Sequence, residues 1–360
     1  MQAEREPLRS LPVLDPELEA ALELDPEATT EPESLDGYAT IIVAVAGKDS
    51  IACLLTCIEQ GVDLRRVELW HHEIDGREGS ALMDWPCTPD YCRKLAAAFG
   101  VPIYFSWKAG GFEAEMLRED APTAAIRFEA PEGLCEASPD DTCEVGGAGP
   151  RNTRRMFPQQ SASLSTRWCS AYCKVDVAAA AIRNQPRFEG RRMLFVTGER
   201  AEESAARAKY VPFERHRSDL REGKVRRHVD HWRPVHAWPE REVWEILERH
   251  RINPHPCYRL GWGRCSCASC IFGNANQWAS LRKVNPRQFA RIAAYEREFG
   301  KTINRNRKSV VELAREGTPY AMDPADVRAA LSTTFEEPMI LPAGAWRLPT
   351  GAYGDATGPT

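Results

Sequence analysis

The stretch Thr40-Ile-Ile-Val-Ala-Val-Ala-Gly-Lys-Asp-Ser50 decides how the chain reads. Its first six residues form an apolar run of the length and β-branched content of a strand buried on both faces. A turn with a single glycine follows, and then a helical run from Ile51 to Gln60. Strand, turn and helix N-terminus in that order gather backbone N–H groups around an anion, and Lys48 adds a cation. It is not a Walker A loop, because no glycine stands five residues before a Gly-Lys-Ser/Thr. The competing reading is a plain turn with Lys48 and Asp49 in solvent.

Working outward, Val67–His71, Val101–Trp107 and Met193–Thr197 read as further strands, with a helix at Tyr91–Phe99 and another at Lys174–Arg183. Strands alternating with helices predict an α/β fold with a doubly wound, mostly parallel sheet. After Trp238 the pattern turns helical, at 240–250, 286–299, 309–316 and 324–331, giving a helical C-terminal portion that carries a cysteine loop. The stretch 129–165 is rich in Gly, Pro, Ser and Asp and too long for an ordinary connection. It reads as an active-site loop or a surface insertion. No internal repeat is found. The expected organisation is an acidic N-terminal arm over 1–37, a nucleotide-binding domain over 38–235, a helical part with a metal loop over 236–332, and an irregular tail over 333–360.

The composition fits a globular chain of 360 residues, with 43% hydrophobic and 28% charged residues. Lys and Arg total 47 against 52 Asp and Glu, for a net charge of -5. The arm accounts for that sign, because residues 1–36 hold eleven acidic side chains against Arg5 and Arg9, leaving the remainder at +4. Leu14, Leu18 and Leu22 recur in the arm at helical spacing and suit a short docking helix. No apolar run approaches the roughly 20 residues needed to span a bilayer. The acidic N-terminus lacks the pattern of a secretory signal, so the expected compartment is the cytoplasm, with no membrane partner.

In that compartment the twelve cysteines read as ligands, nucleophiles or inert core thiols rather than a disulfide framework. Cys53, Cys57, Cys87, Cys92, Cys135 and Cys143 read as ordinary thiols. The dense group is Cys257, Cys265, Cys267 and Cys270, with Cys169 and Cys173 upstream. Cys267-Ala-Ser-Cys270 can turn two sulfurs to one point, Cys265 adds a third, and Cys169 stands before a helix whose N-terminus favours thiolate. Cys257 and Cys173 remain candidates for a fourth place. Four thiolates suit a 4Fe-4S cluster or zinc.

The phosphate loop resembles that of the N-type ATP pyrophosphatases and the phosphoadenosine phosphosulfate (PAPS) reductase family, in the adenine nucleotide alpha-hydrolase-like superfamily. The usual Ser-Gly-Gly-Lys-Asp-Ser becomes Val45-Ala-Gly-Lys-Asp-Ser50, which loses one hydroxyl and one glycine. Gly198-Glu-Arg-Ala-Glu-Glu-Ser-Ala-Ala-Arg207 is similar to the family's Gly-x-Arg-x-x-Glu-Ser-x-x-Arg, and a run from Trp238 through Asn253-Pro-His-Pro-Cys-Tyr258 to Cys270 also fits. The resemblance covers about residues 38–300.

It implies an enzyme with Lys48, Asp49 and Ser50 in the chemistry. Ala46, Gly47, Lys48, Ser50, Asp75, Gly198, Arg200, Ser204 and Arg207 would hold an adenine nucleotide with magnesium, with helical spacing letting Arg200, Ser204 and Arg207 converge on an anion. It also implies a 4Fe-4S cluster on Cys169, Cys265, Cys267 and Cys270, as in the iron–sulfur branch that contains the ATP pyrophosphatase of DNA phosphorothioation. Because no cysteine follows Cys270, cleavage of ATP at the α-phosphate in sulfur transfer is expected over reduction of an adenylyl sulfate. A sulfur-donor protein is then a candidate partner. The basic stretch 207–233, with Tyr210, Phe213 and Trp232 interleaved, suits a nucleic-acid acceptor. The alternative from another class is a nucleic-acid-binding protein with a structural metal knuckle.

Overall fold

The computed structural model describes residues 29–132, 134–135 and 142–354. The acidic arm expected over 1–37, with its leucine spacing, lies mostly outside these. Eight strands form one sheet: β1 (Thr40–Ala44), β2 (Val67–Glu73), β3 (Ile103–Lys108), β4 (Ala125–Glu129), β5 (Thr142–Gly146), β6 (Arg192–Val196), β7 (Phe213–Arg215) and β8 (His228–Trp232). Their order is β5-β4-β3-β2-β1-β6-β8-β7. The central five pair in parallel, while β4, β5 and β7 pair antiparallel at the two edges. This is the expected α/β architecture, a mostly parallel sheet with flanking helices and a helical C-terminal region.

The helices are α1 (Lys48–Glu59), α2 (Thr88–Phe99), α3 (Gly111–Leu117), α4 (Asp176–Arg183), α5 (Glu240–Arg249), the single turn α6 (Pro256–Arg259), α7 (Ala275–Val284), α8 (Pro286–Phe299), α9 (Val310–Glu316) and α10 (Pro324–Leu331). Ile41, Ile42 and Val43 are fully buried because helices cover both faces of β1. From β1 the chain crosses to β2 on one side, and β6 later joins on the other. The strand order therefore reverses between β1 and β6, the position at which open α/β sheets bind ligands beyond their carboxyl ends. The turn 45–47 and the segment 197–200 leave the sheet there.

Two sequence expectations are corrected, and a third segment gains its structure. The stretch 129–165 is not all loop, because its start completes the antiparallel hairpin β4–β5 at the sheet edge. Cys135 and Cys143 are joined by a disulfide, so not every cysteine is a free thiol. The basic stretch contains β7 and β8, and several of its guanidiniums are paired: Arg215 with Glu222 at 2.8 Å, Arg217 with Asp176 at 3.1 Å and Arg221 with Asp230 at 2.6 Å.

Two adjacent histidines on β2 give the fold an acid limit. His71 Nδ1 lies 2.8 Å from the Val45 carbonyl, so it carries the ring proton and donates it. His72 Nδ1 lies 2.7 Å from Ser106 Oγ. Burial pushes the His71 pKa down to about 4. His72 is pushed down to about 3 by burial and by His71 and Lys174 nearby. The unfolded chain takes up these protons near the ordinary value of about 6.5. Stability contributed by the neutral rings is thus present above that pH and is lost as pH falls toward the folded values. Denaturant titrations from neutral pH downward should show unfolding free energy falling by up to about 1.4 kcal/mol per pH unit per histidine. A flat profile between about pH 6.5 and about pH 5 would contradict this.

Candidate active site

The turn after β1 is closed by its own residues. Ala46 N–H donates to Ser50 Oγ at 3.0 Å, and that hydroxyl donates to the Gly47 carbonyl at 2.8 Å. Ser50 therefore braces the turn. Lys48 is 1% exposed. Its ammonium lies 3.3 Å from Asp49 Oδ2, 3.2 Å from the Gly263 carbonyl and 3.6 Å from Glu240 Oε1, with the rings of Trp244 and Tyr258 5.8 and 5.7 Å away. Its backbone N–H donates to Tyr258 Oη at 2.9 Å.

Across the sheet, Arg200 Nε donates to Asp49 Oδ1 at 2.6 Å, and its Nη1 reaches Glu202 at 2.5 Å. Burial pushes the Asp49 pKa up, but Lys48 and Arg200 outweigh it and hold the carboxyl below its ordinary range. The two segments meet because Gly198 has no side chain. A Cβ there would stand 2.6 Å from the Asp49 carbonyl carbon and 2.7 Å from Ser50 N. Lys48, Asp49, Ser50, Gly198 and Arg200, separated by up to 152 positions in the chain, thus form one constellation.

Ser204 and Arg207 sit differently from expectation. The helix expected after Gly198 is two short 3-10 turns, at Ala201–Glu203 and Arg207–Lys209, with extended backbone at Ser204 between them. Ser204 Oγ accepts the Arg207 N–H at 3.2 Å, a local bond that competes with helix. Arg207 pairs with Glu203, which Arg264 also approaches at 3.3 Å. Asp75 is turned inward: its carboxylate accepts the N–H groups of Met83 at 3.0 Å and Asp84 at 2.9 Å, and caps a turn. Burial raises its pKa.

The cysteine loop is the far wall of the same site. A Cβ on Gly47 would stand 2.9 Å from Cys265 Cβ and 2.8 Å from Tyr258 Oη. That hydroxyl also accepts the Cys265 N–H at 3.2 Å, so one tyrosine ties the phosphate turn to the loop. Of the four expected metal ligands, Cys265 stands with His255 and Cys257, ligand atoms within 4.8 Å of one another. This is the one such trio among the described residues. Burial raises the thiol pKa values of Cys169 and Cys267, and Cys270 lies close enough to both to raise them further. Cys169 lies in a helical turn, Trp168–Ser170, but burial pushes its thiol up to about 11, against the thiolate expected from the helix N-terminus. Cys173 is fully buried.

The residues that sequence reading passed over are Tyr258, Glu240, His255 and Cys87. His255 lies within the quoted Asn253–Tyr258 run, so its neighbourhood was legible although its role was not. Cys87 meets it only through tertiary folding.

Residues 144–272, from β5 through the cysteine loop, match the phosphoadenosine phosphosulfate reductase domain family. The chain is 30% identical over 142 residues to an uncharacterized 37.8 kDa protein of Escherichia phage 186, a match spanning 39% of this chain and 41% of that one. It is 33% identical over 76 residues to adenosine 5'-phosphosulfate reductase of Allochromatium vinosum, spanning 21% and 27% of the two chains. The chain thus covers less than half the length of either relative. A solved structure of PAPS reductase from Candida auris in a phosphate complex aligns over 70% of this chain and 95% of its own, at 16% identity and a TM-score of 0.35. Among the described residues no helix is long and apolar enough to cross a membrane.

Proposed function

We propose that this chain is an adenine-nucleotide enzyme of sulfur chemistry that cleaves ATP at the α-phosphate to activate an acceptor. The observation that carries the reading is the junction at Gly47, where a phosphate turn with a buried lysine and an arginine across the sheet abuts a thiol-rich loop. In the reaction an acceptor oxygen attacks the α-phosphorus, a P–O bond forms, the bond to the β-phosphate bridge breaks and pyrophosphate leaves. Lys48 and Arg200 stabilise charge on the departing oxygens, and the turn's N–H groups orient them. Entry of the nucleotide requires both cations to exchange Asp49, Glu202 and Glu240 for phosphate oxygens. Magnesium with the nucleotide would supply further charge neutralisation, with Asp49 the carboxylate in reach of the turn.

The donor set also fits a thiophilic metal. Cys169, Cys267 and Cys270 are the loop thiols that would hold part of an iron–sulfur cluster, which would supply electron-transfer or sulfur-binding chemistry. A sulfur-donor protein and a nucleic-acid acceptor belong to the same proposal. The test is nucleotide binding and pyrophosphate release by the full chain. Lys48→Ala should weaken ATP binding at least tenfold, about 1.4 kcal/mol, and stop pyrophosphate release. Sulfite release from PAPS without pyrophosphate release from ATP would replace this reading with reduction, and unchanged turnover in the Lys48 variant would overturn it.

A further inference from the structure

The clustering of thiols around His255 is separate from the nucleotide chemistry and involves a residue that the metal motif does not contain. Cys87, at the N-terminus of α2, places Sγ 3.3 Å from His255 Nε2, and Thr88 Oγ1 lies 3.3 Å from the same nitrogen. His255, Cys257 and Cys265 already bring their ligand atoms within 4.8 Å of one another. Cys87, His255 and Cys257 are fully buried. Three thiols and one imidazole, drawn from two distant segments, thus gather about the His255 ring, Cys87 through its contact with Nε2, with no carboxylate in the set.

We propose that Cys87, His255, Cys257 and Cys265 bind a single thiophilic divalent cation, zinc by its chemistry, which fixes the wall of the phosphate turn. A tetrahedral ion with Zn–S bonds of about 2.3 Å sets its sulfurs about 3.8 Å apart, a spacing that fits inside the 4.8 Å within which the His255, Cys257 and Cys265 ligand atoms lie. A four-iron cluster interposes several atoms between its thiolates and needs a wider frame.

The frame is held from outside the set. Ser269 Oγ donates to the Leu82 carbonyl at 2.7 Å, and Gln288 Nε2 donates to that carbonyl at 2.8 Å, so the segment carrying Cys87 is bound to the cysteine loop and to α8. His255 Nδ1 accepts the Cys257 N–H at 3.2 Å, which leaves the ring proton on Nε2. Loading the ion at Nε2 moves that proton to Nδ1, opens the Cys257 contact and releases the thiol protons to solvent. The consequence for the site runs through Cys265, whose Cβ faces Gly47 and whose N–H shares Tyr258 Oη with Lys48. An ion on Cys265 immobilises the surface against which the phosphate turn rests. The inference does not depend on which nucleotide the turn binds.

The full chain, prepared with zinc and separately with cobalt, should retain about one ion per chain, and the cobalt form should show the visible bands of a tetrahedral thiolate-ligated ion. Cys257→Ser and His255→Ala should lose the ion, while the double variant C267S/C270S should keep it. Absence of a stoichiometric ion, or its loss in C267S/C270S, overturns the proposal, the latter because the metal would then belong to one shared centre. If the buried variants do not fold, the wild-type cobalt spectrum still decides: octahedral bands without thiolate-to-cobalt charge transfer overturn the site.

Discussion

Gly198→Ala should disable the site while leaving the sheet intact. The added methyl would meet the Asp49 carbonyl carbon at 2.6 Å and Ser50 N at 2.7 Å, both backbone atoms at the start of α1. Neither can swing aside as a side chain would, because Asp49 and Ser50 are pinned by Arg200 and by the turn's own hydrogen bonds. Relief must come from separating the β6 end from the phosphate turn. Overpacking of this kind costs about 1–3 kcal/mol, and at this position the displacement falls on the atoms that would grip phosphate. The expected result is a loss of nucleotide affinity of up to about a hundredfold, with a melting temperature lowered by several degrees. Gly47→Ala is the informative contrast, because its new methyl would meet side-chain atoms of Tyr258 and Cys265. It should perturb the cysteine wall more than the turn's backbone. Equal nucleotide affinity in wild type and Gly198→Ala would remove the close approach of β6 from the account of the site.

The contrast between these glycines shows what was readable in the sequence. The phosphate turn was legible because strand, glycine, lysine and helix start are consecutive, and the order of local contacts follows the order of residues. Four of the five central strands, β1, β2, β3 and β6, were legible from their apolar runs, while β8 (His-Val-Asp-His-Trp) has no such run and was not. The edges were not. β4 (Ala-Ile-Arg-Phe-Glu) and β7 (Phe-Glu-Arg) are short and broken by charged residues, and they become strands by pairing with β3 and β8. Helix α7 was missed although Asn274 and Gln277 form a reciprocal cap that the sequence displays.

At the site, the cysteine loop announced itself by density, but its partition did not. Cys265 lies two residues from Cys267, yet its side chain faces His255 and Cys257. Cys87 reaches His255 across 168 positions. Such pairings depend on how the segment after Asp75 folds back over the loop, where the Asp75 carboxylate holds the Met83 and Asp84 amides. Sequence spacing cannot encode that. The same fold-back explains why Asp75, at a strand end where a ligand contact was expected, serves as a brace for the loop's neighbour.

Removal of Asp49 should produce the largest stability loss of any single polar substitution in the site. Its carboxylate lies between Lys48 and Arg200, whose side chains are 2% and 4% exposed. Deleting it leaves two buried cations with one fewer anion between them. Breaking a buried pair by removing one partner costs about 3–5 kcal/mol, because the remaining charge stays desolvated. Asp49→Ala should fall in that range by chemical denaturation. Asp49→Asn, which keeps the shape and one acceptor, should recover part of the loss.

Acid provides a second readout. Because Asp49 is held below the ordinary carboxylate range when folded, its contribution is fully present above about pH 4 and is lost as pH falls through the depressed folded value. Asp49→Asn removes that titration, so the difference between the two proteins should shrink on acidification below about pH 4 and stay constant above it. Phosphate ligands add a third readout with the opposite sign. The freed Lys48 and Arg200 are the groups a nucleotide must otherwise recruit from Asp49, so pyrophosphate should raise the melting temperature of Asp49→Asn more than that of wild type. If anion stabilises both proteins equally, Lys48 and Arg200 are structural cations and the turn does not bind phosphate through them.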